Sequence, residues 1–248
     1  MGFCVFCIRL FFGEIFMRYF LINEGTPFEI RASLSAYGVC IPLPPLASLP
    51  FPVCRHPDML MAQIFGRIFV HREFREGQTI LEKLGVPFLC SEKAVGALYP
   101  NDVSLNCFSV GDMLFAKENA VSDEVLSWAK ENGKTVANVK QGYAKCSTVI
   151  AGGRIASADR GIVKAAQSAN IPALLLPSQP IGIEVYDTGF LGGASLMLDE
   201  RTLGFFGNVE TYPSYAELKA FFAEVGVKIV SLSERPLFDY GGAVTLAI

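Results

Sequence analysis

The chain has 248 residues, 51% of them hydrophobic and 18% charged, with a formal net charge of −3. That composition excludes a disordered polymer, which lacks the apolar surface to offset the entropy of ordering. It also lacks the clustered Lys and Arg of a nucleic-acid binder, so no nucleic-acid partner is expected.

Residues 1–16, MGFCVFCIRLFFGEIF, form an apolar opening broken by Arg9 and Glu14. Crossing a bilayer core of ~30 Å takes about 20 apolar residues, so the segment is too short to span one. Neither a positive leading region nor a small-residue cleavage pattern accompanies it. Met17 begins the more ordinary MRYFLINEG, so residues 1–16 read as an over-long start or unstructured extension, with a membrane-surface anchor as the alternative. Residues 17–248 read as one folded domain. Seven cysteines are scattered along the chain, and Cys4–Cys7, the only CxxC, has no second pair to complete a zinc site. No metal or cofactor is expected, and a reducing cytoplasm fits this cysteine usage.

After Met17 comes a strand over residues 18–22, a turn at Asn23-Glu24-Gly25 and Pro27 as a helix N1 residue. A helix over 28–36 and a strand over 39–43 follow, then the proline-rich connection 42–52. Beyond His56-Pro57-Asp58, residues 59–64 and 67–70 read as paired strands around Phe65-Gly66. A helix over 76–84 is stopped by Gly85, and 86–90 is a strand. The same order recurs as strands 103–108 and 113–116, a helix from Ser122 to Gly133, and a strand at 136–139. It recurs again from 147 to 176, with the Gly152-Gly153 turn, Asp159 as N-cap and a helix over 161–168. The fourth copy pairs 194–198 with 203–206, caps a helix at Ser214 and closes with 227–232. One further strand, 243–248, ends the sequence.

Each copy is a ββαβ module of about 30 residues, too small a sheet to bury its own apolar face. Four complete modules and two complementary halves at the termini describe a closed ring, an α/β propeller of five blades whose first and last strands pair.

This module order resembles the pentein fold, the five-bladed β/α propeller of guanidino-group-modifying enzymes and of a non-catalytic ribosome anti-association factor. The strings HPDM (56–59), YPNDVSLN (99–106), QGYAKCS (141–147) and GFLGGAS (189–195) also resemble an uncharacterised bacterial group of this architecture. The resemblance implies a Cys nucleophile in a GGxxC-like pattern of the last blade, assisted by a His and carboxylates. Here that stretch is Gly241-Gly242-Ala243-Val244-Thr245, with Thr in place of Cys, and the only histidines are His56 and His71. A hydroxyl needs a nearby base far more than a thiol does, so the usual mechanism does not carry over.

In such a ring the starts of the first strands converge on the axis. Those starts carry His56, Asp58, Asp102, Lys145, Cys146, Gly192, Gly193 and Asp239, with Asn106 further along its strand, and Asp159, a helix cap at the pocket rim, is a further ligand-binding candidate. Three carboxylates suit a cationic, guanidino or amino-acid-like ligand, and Cys146 with His56 is the catalytic pair for a hydrolase or transferase. Cys146, beside Lys145, is expected to react fast with thiol reagents. Duller roles stand beside these. Asp58 and Asp102 cap turns, Cys146 fills space, His56 bonds locally, Asp159 only caps its helix and the glycines mark a bend. His71 reads as a surface residue. The other class of function is a non-catalytic propeller acting as a macromolecular scaffold.

Overall fold

A computed structural model describes residues 17–248, and the expectations for residues 1–16 and for Cys4–Cys7 lie outside the described residues. The described chain forms five three-stranded sheets. The first blade holds β3 (Met61–Ile64), β4 (Arg67–His71), α3 (Arg75–Lys83) and β5 (Phe88–Ser91). The second holds β6 (Phe108–Val110), β7 (Met113–Ala116), α4 (Asp123–Glu131) and β8 (Thr135–Asn138). The third holds β9 (Thr148–Ala151), β10 (Arg154–Ser157), α5 (Arg160–Ser168) and β11 (Ala173–Leu175). In the fourth, β12 (Ser195–Asp199) and β13 (Thr202–Phe205) precede α6 (Tyr215–Ala223) and β14 (Lys228–Ser231).

The fifth blade is assembled from both ends of the chain. β1 (Arg18–Asn23), α1 (Phe28–Ser35) and β2 (Val39–Leu43) take β15 (Ala243–Ala247) as their missing first strand. β1 lies antiparallel to β15 with Leu21 opposite Val244, and parallel to β2 with Leu21 opposite Ile41. Reciprocal backbone bonds extend the ladder, from the Met17 N–H to the Ile248 carbonyl (2.7 Å) and back from Ile248 to Met17 (3.0 Å). Every blade thus has an antiparallel strand pair followed by a parallel strand across a helix.

The apolar interior consists of five clusters, each bridging two neighbouring blades. Val125 and Ala129 of α4 pack on Ala62, Ile64 and Phe69 of the first blade. Ile162 and Ala166 of α5 meet Phe108 and Phe115 of the second. Leu218 and Phe222 of α6 meet Val149 and Ala156 of the third. Ile30 and Leu34 of α1 meet Leu196 and Leu198 of the fourth. Leu81 of α3 and Phe74 before it join Leu21, Leu43, Val244 and Leu246 of the fifth. Each helix therefore covers the previous blade's sheet, and no blade is buried without both neighbours.

Local chemistry explains most boundaries. The Gly152-Gly153 turn has φ of 55° and 72°, the doubly positive geometry of a tight hairpin turn. Asp159 caps α5 by accepting the Ile162 N–H at 2.9 Å. Two expected strands are corrected. Residues 57–60 form one helical turn, α2 (Pro57–Leu60), started by Pro57, so β3 begins only at Met61. Residues 103–107 are buried turns, so Asn106 lies before β6 and not along it. His71, expected at the surface, is fully buried at the end of β4, with Nε2 2.9 Å from the Met59 carbonyl of α2.

Deleting residues 243–248 should leave β1 as an open edge and strip Val244 and Leu246 from their cluster. The expected outcome is loss of a single cooperative thermal transition by far-ultraviolet circular dichroism. An unchanged melting curve would show that closure adds nothing to stability.

Candidate functional site

The five first strands, β3, β6, β9, β12 and β15, together line one axial cavity of about 220 Å³. Met61, Phe108, Ile150, Met197 and Val244 give it apolar walls, and Asp58 and Lys145 stand where the chain enters β3 and β9. Thr245, where the resemblance implies a nucleophile, also lines it. Its Oγ1 donates to the Met197 carbonyl at 3.2 Å, which is a structural role.

Behind the cavity lies a buried polar cluster. Asp58, placed inward by the α2 turn, accepts the Cys146 thiol proton at Oδ2 (3.0 Å), while its Oδ1 has no partner. Asn106 Oδ1 accepts the backbone N–H groups of Lys145 (2.8 Å) and Cys146 (3.2 Å). Its Nδ2 faces the Asp58 carbonyl at 3.2 Å, Met59 Sδ at 3.2 Å and Cys146 Sγ at 2.9 Å. The turn before β6 is thereby stapled to the entrances of β3 and β9. Asp239 accepts the N–H groups of Phe190 (2.8 Å) and Gly241 (2.9 Å), and His56 Nδ1 lies 3.7 Å from its Oδ1.

Burial controls the protonation of this cluster. It pushes the Cys146 thiol well above its ordinary value, with Asp58 adding to the effect, so the thiol is protonated at neutral pH. Burial pushes Asp58 up to about 7 against the attraction of Lys145, and raises Asp239 despite His56. Burial lowers His56, against the attraction of Asp239. His56 is then neutral and its 3.7 Å contact with Asp239 is polar, not an ion pair.

The structure brings together His56, Asp58, Asn106, Cys146 and Asp239, but it pairs Cys146 with Asp58 and His56 with Asp239. Asp102 is held elsewhere, accepting the Tyr143 hydroxyl at 2.5 Å and leaving Oδ1 unpartnered. Burial, then the bond to Asp102, drives the Tyr143 hydroxyl upward. Asp159 lines a separate cavity with Ser157, Gln179 and Tyr212. Gly192 and Gly193 serve close packing of the chain on itself. A Cβ on Gly192 would lie 2.4 Å from the Thr148 carbonyl oxygen, and one on Gly193 2.0 Å from Asp239 Oδ1. Tyr143 was missed by sequence reasoning, although its place before a first strand, two residues from Lys145, is a polar blade entrance like the others. Among the described residues no group of three or more His, Cys, Asp or Glu is arranged to hold a metal. No helix there is long and apolar enough to cross a membrane.

Two outcomes follow from these environments. Between pH 3.8 and about 7 native Asp58 keeps a proton that the unfolded chain releases, so its contribution to stability falls as pH rises. His71, lowered from 6.5 to about 4, has the opposite sign, and its contribution falls as pH drops through that window. Asp58→Asn removes the first slope, so the variant's melting temperature relative to the parent's should climb from pH 4 towards pH 7 and then level off. A difference independent of pH would mean Asp58 titrates as an ordinary exposed carboxylate. The fast thiol expected at Cys146 is also reversed. Mapped by mass spectrometry at neutral pH, its alkylation should lag behind that of the half-buried Cys40 and Cys90. Faster labelling at Cys146 would contradict the protonated, shielded thiol.

Comparison with solved structures returns the same fold. A histidine-to-glycine variant of dimethylarginine dimethylaminohydrolase, as its adduct with S-methyl-L-thiocitrulline, aligns at a TM-score of 0.53 and 14% identity. The alignment covers 94% of this chain and 100% of that one. A cysteine-to-serine variant of the enzyme from Pseudomonas aeruginosa, complexed with citrulline, gives 0.53 and 12%, with 94% and 99% covered. SxtG, an amidinotransferase from Microseira wollei in the saxitoxin biosynthetic pathway, gives 0.52 and 13%, with 88% and 77% covered. At these identities the likeness is one of fold, and that fold is pentein-like. No curated protein matches the sequence. Residues 21–244 match the model described as "Family of unknown function (DUF6873)", and the chain belongs to that family.

Proposed function

We propose that this protein binds a small polar molecule, guanidino or amino-acid-like, in the axial cavity. The observation that carries the reading is the meeting of all five first strands around one cavity, at whose entrance-strand end stand Asp58 and Lys145. Asp58 is 5% exposed and has an unpartnered Oδ1, an arrangement costly to maintain unless a cation or donor completes it. A reducing cytoplasm is the setting proposed, since the five cysteines of the described residues are free. Fold-level likeness to enzymes acting on guanidino compounds favours a ligand of that size and polarity and carries no mechanism.

Binding is the leading reading and turnover the second. The second rests on the 3.0 Å contact between Cys146 Sγ and Asp58 Oδ2. There Asp58 would take the thiol proton, the thiolate would add to an electrophilic carbon of the ligand, and the departing amine would receive the proton. Water or a second amine would then release the thioester-like intermediate, giving a hydrolase or a transferase. Against it stands the resting state, a buried and protonated thiol. A scaffold role draws on exposed Leu98, Tyr99, Val185 and Tyr186, at 79%, 49%, 75% and 45% exposure. Nothing comparable to the Asp58 cavity supports it.

Thermal-shift measurements with arginine, agmatine, citrulline and a panel of amino acids test the binding reading. A ligand at 100 times its Kd stabilises the native state by about 2.7 kcal/mol, a rise of several degrees. That rise should vanish in Asp58→Asn and persist in Cys146→Ser, which should abolish any turnover. No shift with any compound of the panel at saturating concentration would remove the binding reading.

A further inference from the structure

Resting on the cavity reading above, we infer that the axial cavity is built for the zwitterionic head of an α-amino acid with an uncharged, apolar side chain, its ammonium on Asp58 and its carboxylate on Lys145. Both residues stand just before first strands, Asp58 before β3 and Lys145 before β9, and both line the cavity. They are close enough for Lys145 to act electrostatically on Asp58. Yet among the described residues they do not form an ion pair with each other or with any third group. A carboxyl and an amine that share a cavity without closing on each other leave room for a group complementary to both.

Three of the remaining polar groups of the cavity are already engaged, the exposed Gln63 amide being the exception. Ser109 Oγ accepts the Phe65 N–H at 2.9 Å, Ser195 Oγ donates to the Gly192 carbonyl at 3.1 Å, and Thr245 Oγ1 donates to Met197. Among the carboxylates of the described residues only Asp58 lines this cavity, so a guanidinium at the far end of a ligand would face Leu105, Phe108, Ile150, Leu196, Met197 and Leu203 without a counter-charge. Burying a cation in such a wall is unfavourable, whereas a branched aliphatic or thioether side chain fits it. The volume of about 220 Å³ lies below the ~300–1,000 Å³ of drug-sized sites and suits a molecule of amino-acid size.

Isothermal titration of the full chain with L-leucine, L-methionine, isopentylamine, isocaproate and L-arginine tests this. L-leucine or L-methionine should bind. Isopentylamine, lacking the carboxylate, and isocaproate, lacking the ammonium, should each bind at least roughly tenfold more weakly, the usual effect of losing a charged hydrogen bond. Lys145→Met should weaken the amino acid without changing the affinity for isopentylamine, and far-ultraviolet circular dichroism would establish that the variant is folded. If isopentylamine equals L-leucine and Lys145→Met changes neither, the zwitterion inference fails while the cavity remains a cation site. Tighter binding of L-arginine than of L-leucine overturns the apolar side-chain assignment and leaves the guanidino reading standing. Absence of binding by all five compounds overturns both.

Discussion

Everything in this molecule depends on the ladder between β1 and β15. A three-stranded sheet with one helix has two faces to cover, and here each is covered only by the next blade in the ring. The antiparallel register that sets Leu21 opposite Val244 completes the fifth sheet and brings Val244 and Leu246 into the cluster around Phe74 and Leu81. Without that ladder, two of the five apolar interfaces lose their walls, and a propeller becomes an open array with two unpaired edges. Chain closure is thus a hydrophobic requirement expressed through backbone hydrogen bonds.

The same closure forces polar chemistry into the middle. Five chain segments must turn from loop to strand around one axis, and their backbone and side-chain polar groups have little water there. The protein answers with mutual satisfaction: Asn106 ties two blade entrances together, the Asp58 N–H reaches the Gly241 carbonyl at 3.2 Å, and Asp239 binds two N–H groups. What is left over is informative. Buried carboxylates raised by desolvation and a buried neutral imidazole cost stability, and evolved cores seldom keep them without a use. The Asp58–Cys146–Asn106 contacts join three blade entrances at the axis, an arrangement that differs from the one the resemblance implies.

That rearrangement separates fold from chemistry. Thr245 occupies the strand position where the resemblance implies a thiol, and it spends its hydroxyl on a carbonyl of the neighbouring strand. The thiol near the axis is instead Cys146, in the third blade, with a carboxylate and not an imidazole beside it. A common ring can therefore bring polar groups to its axis from different blades, because pseudo-symmetry makes the five entrances nearly interchangeable.

Much of this was legible in the residues themselves. Alternating apolar runs, Gly-Gly and Phe-Gly turns, the Asp159 cap and the ββαβ order are local signals, and the complementary halves at the termini by themselves imply closure. Strand starts were less legible: Pro57 converts residues 57–60 into a helical turn, and Val103, Leu105 and Cys107 are apolar because they are buried, not because they are extended. The entrance residues were identified as a set, including His56, Asp58, Asn106, Cys146 and Asp239. Which of them touch was not, since contacts among residues 88 positions apart, such as Cys146 and Asp58, depend on how blades rotate against one another. Periodicity and turn chemistry act over a few residues and so determine blades and their number. Partnership, burial and protonation act across the ring, and only the closed tertiary structure decides them, because desolvation belongs to the assembled axis and to no single segment.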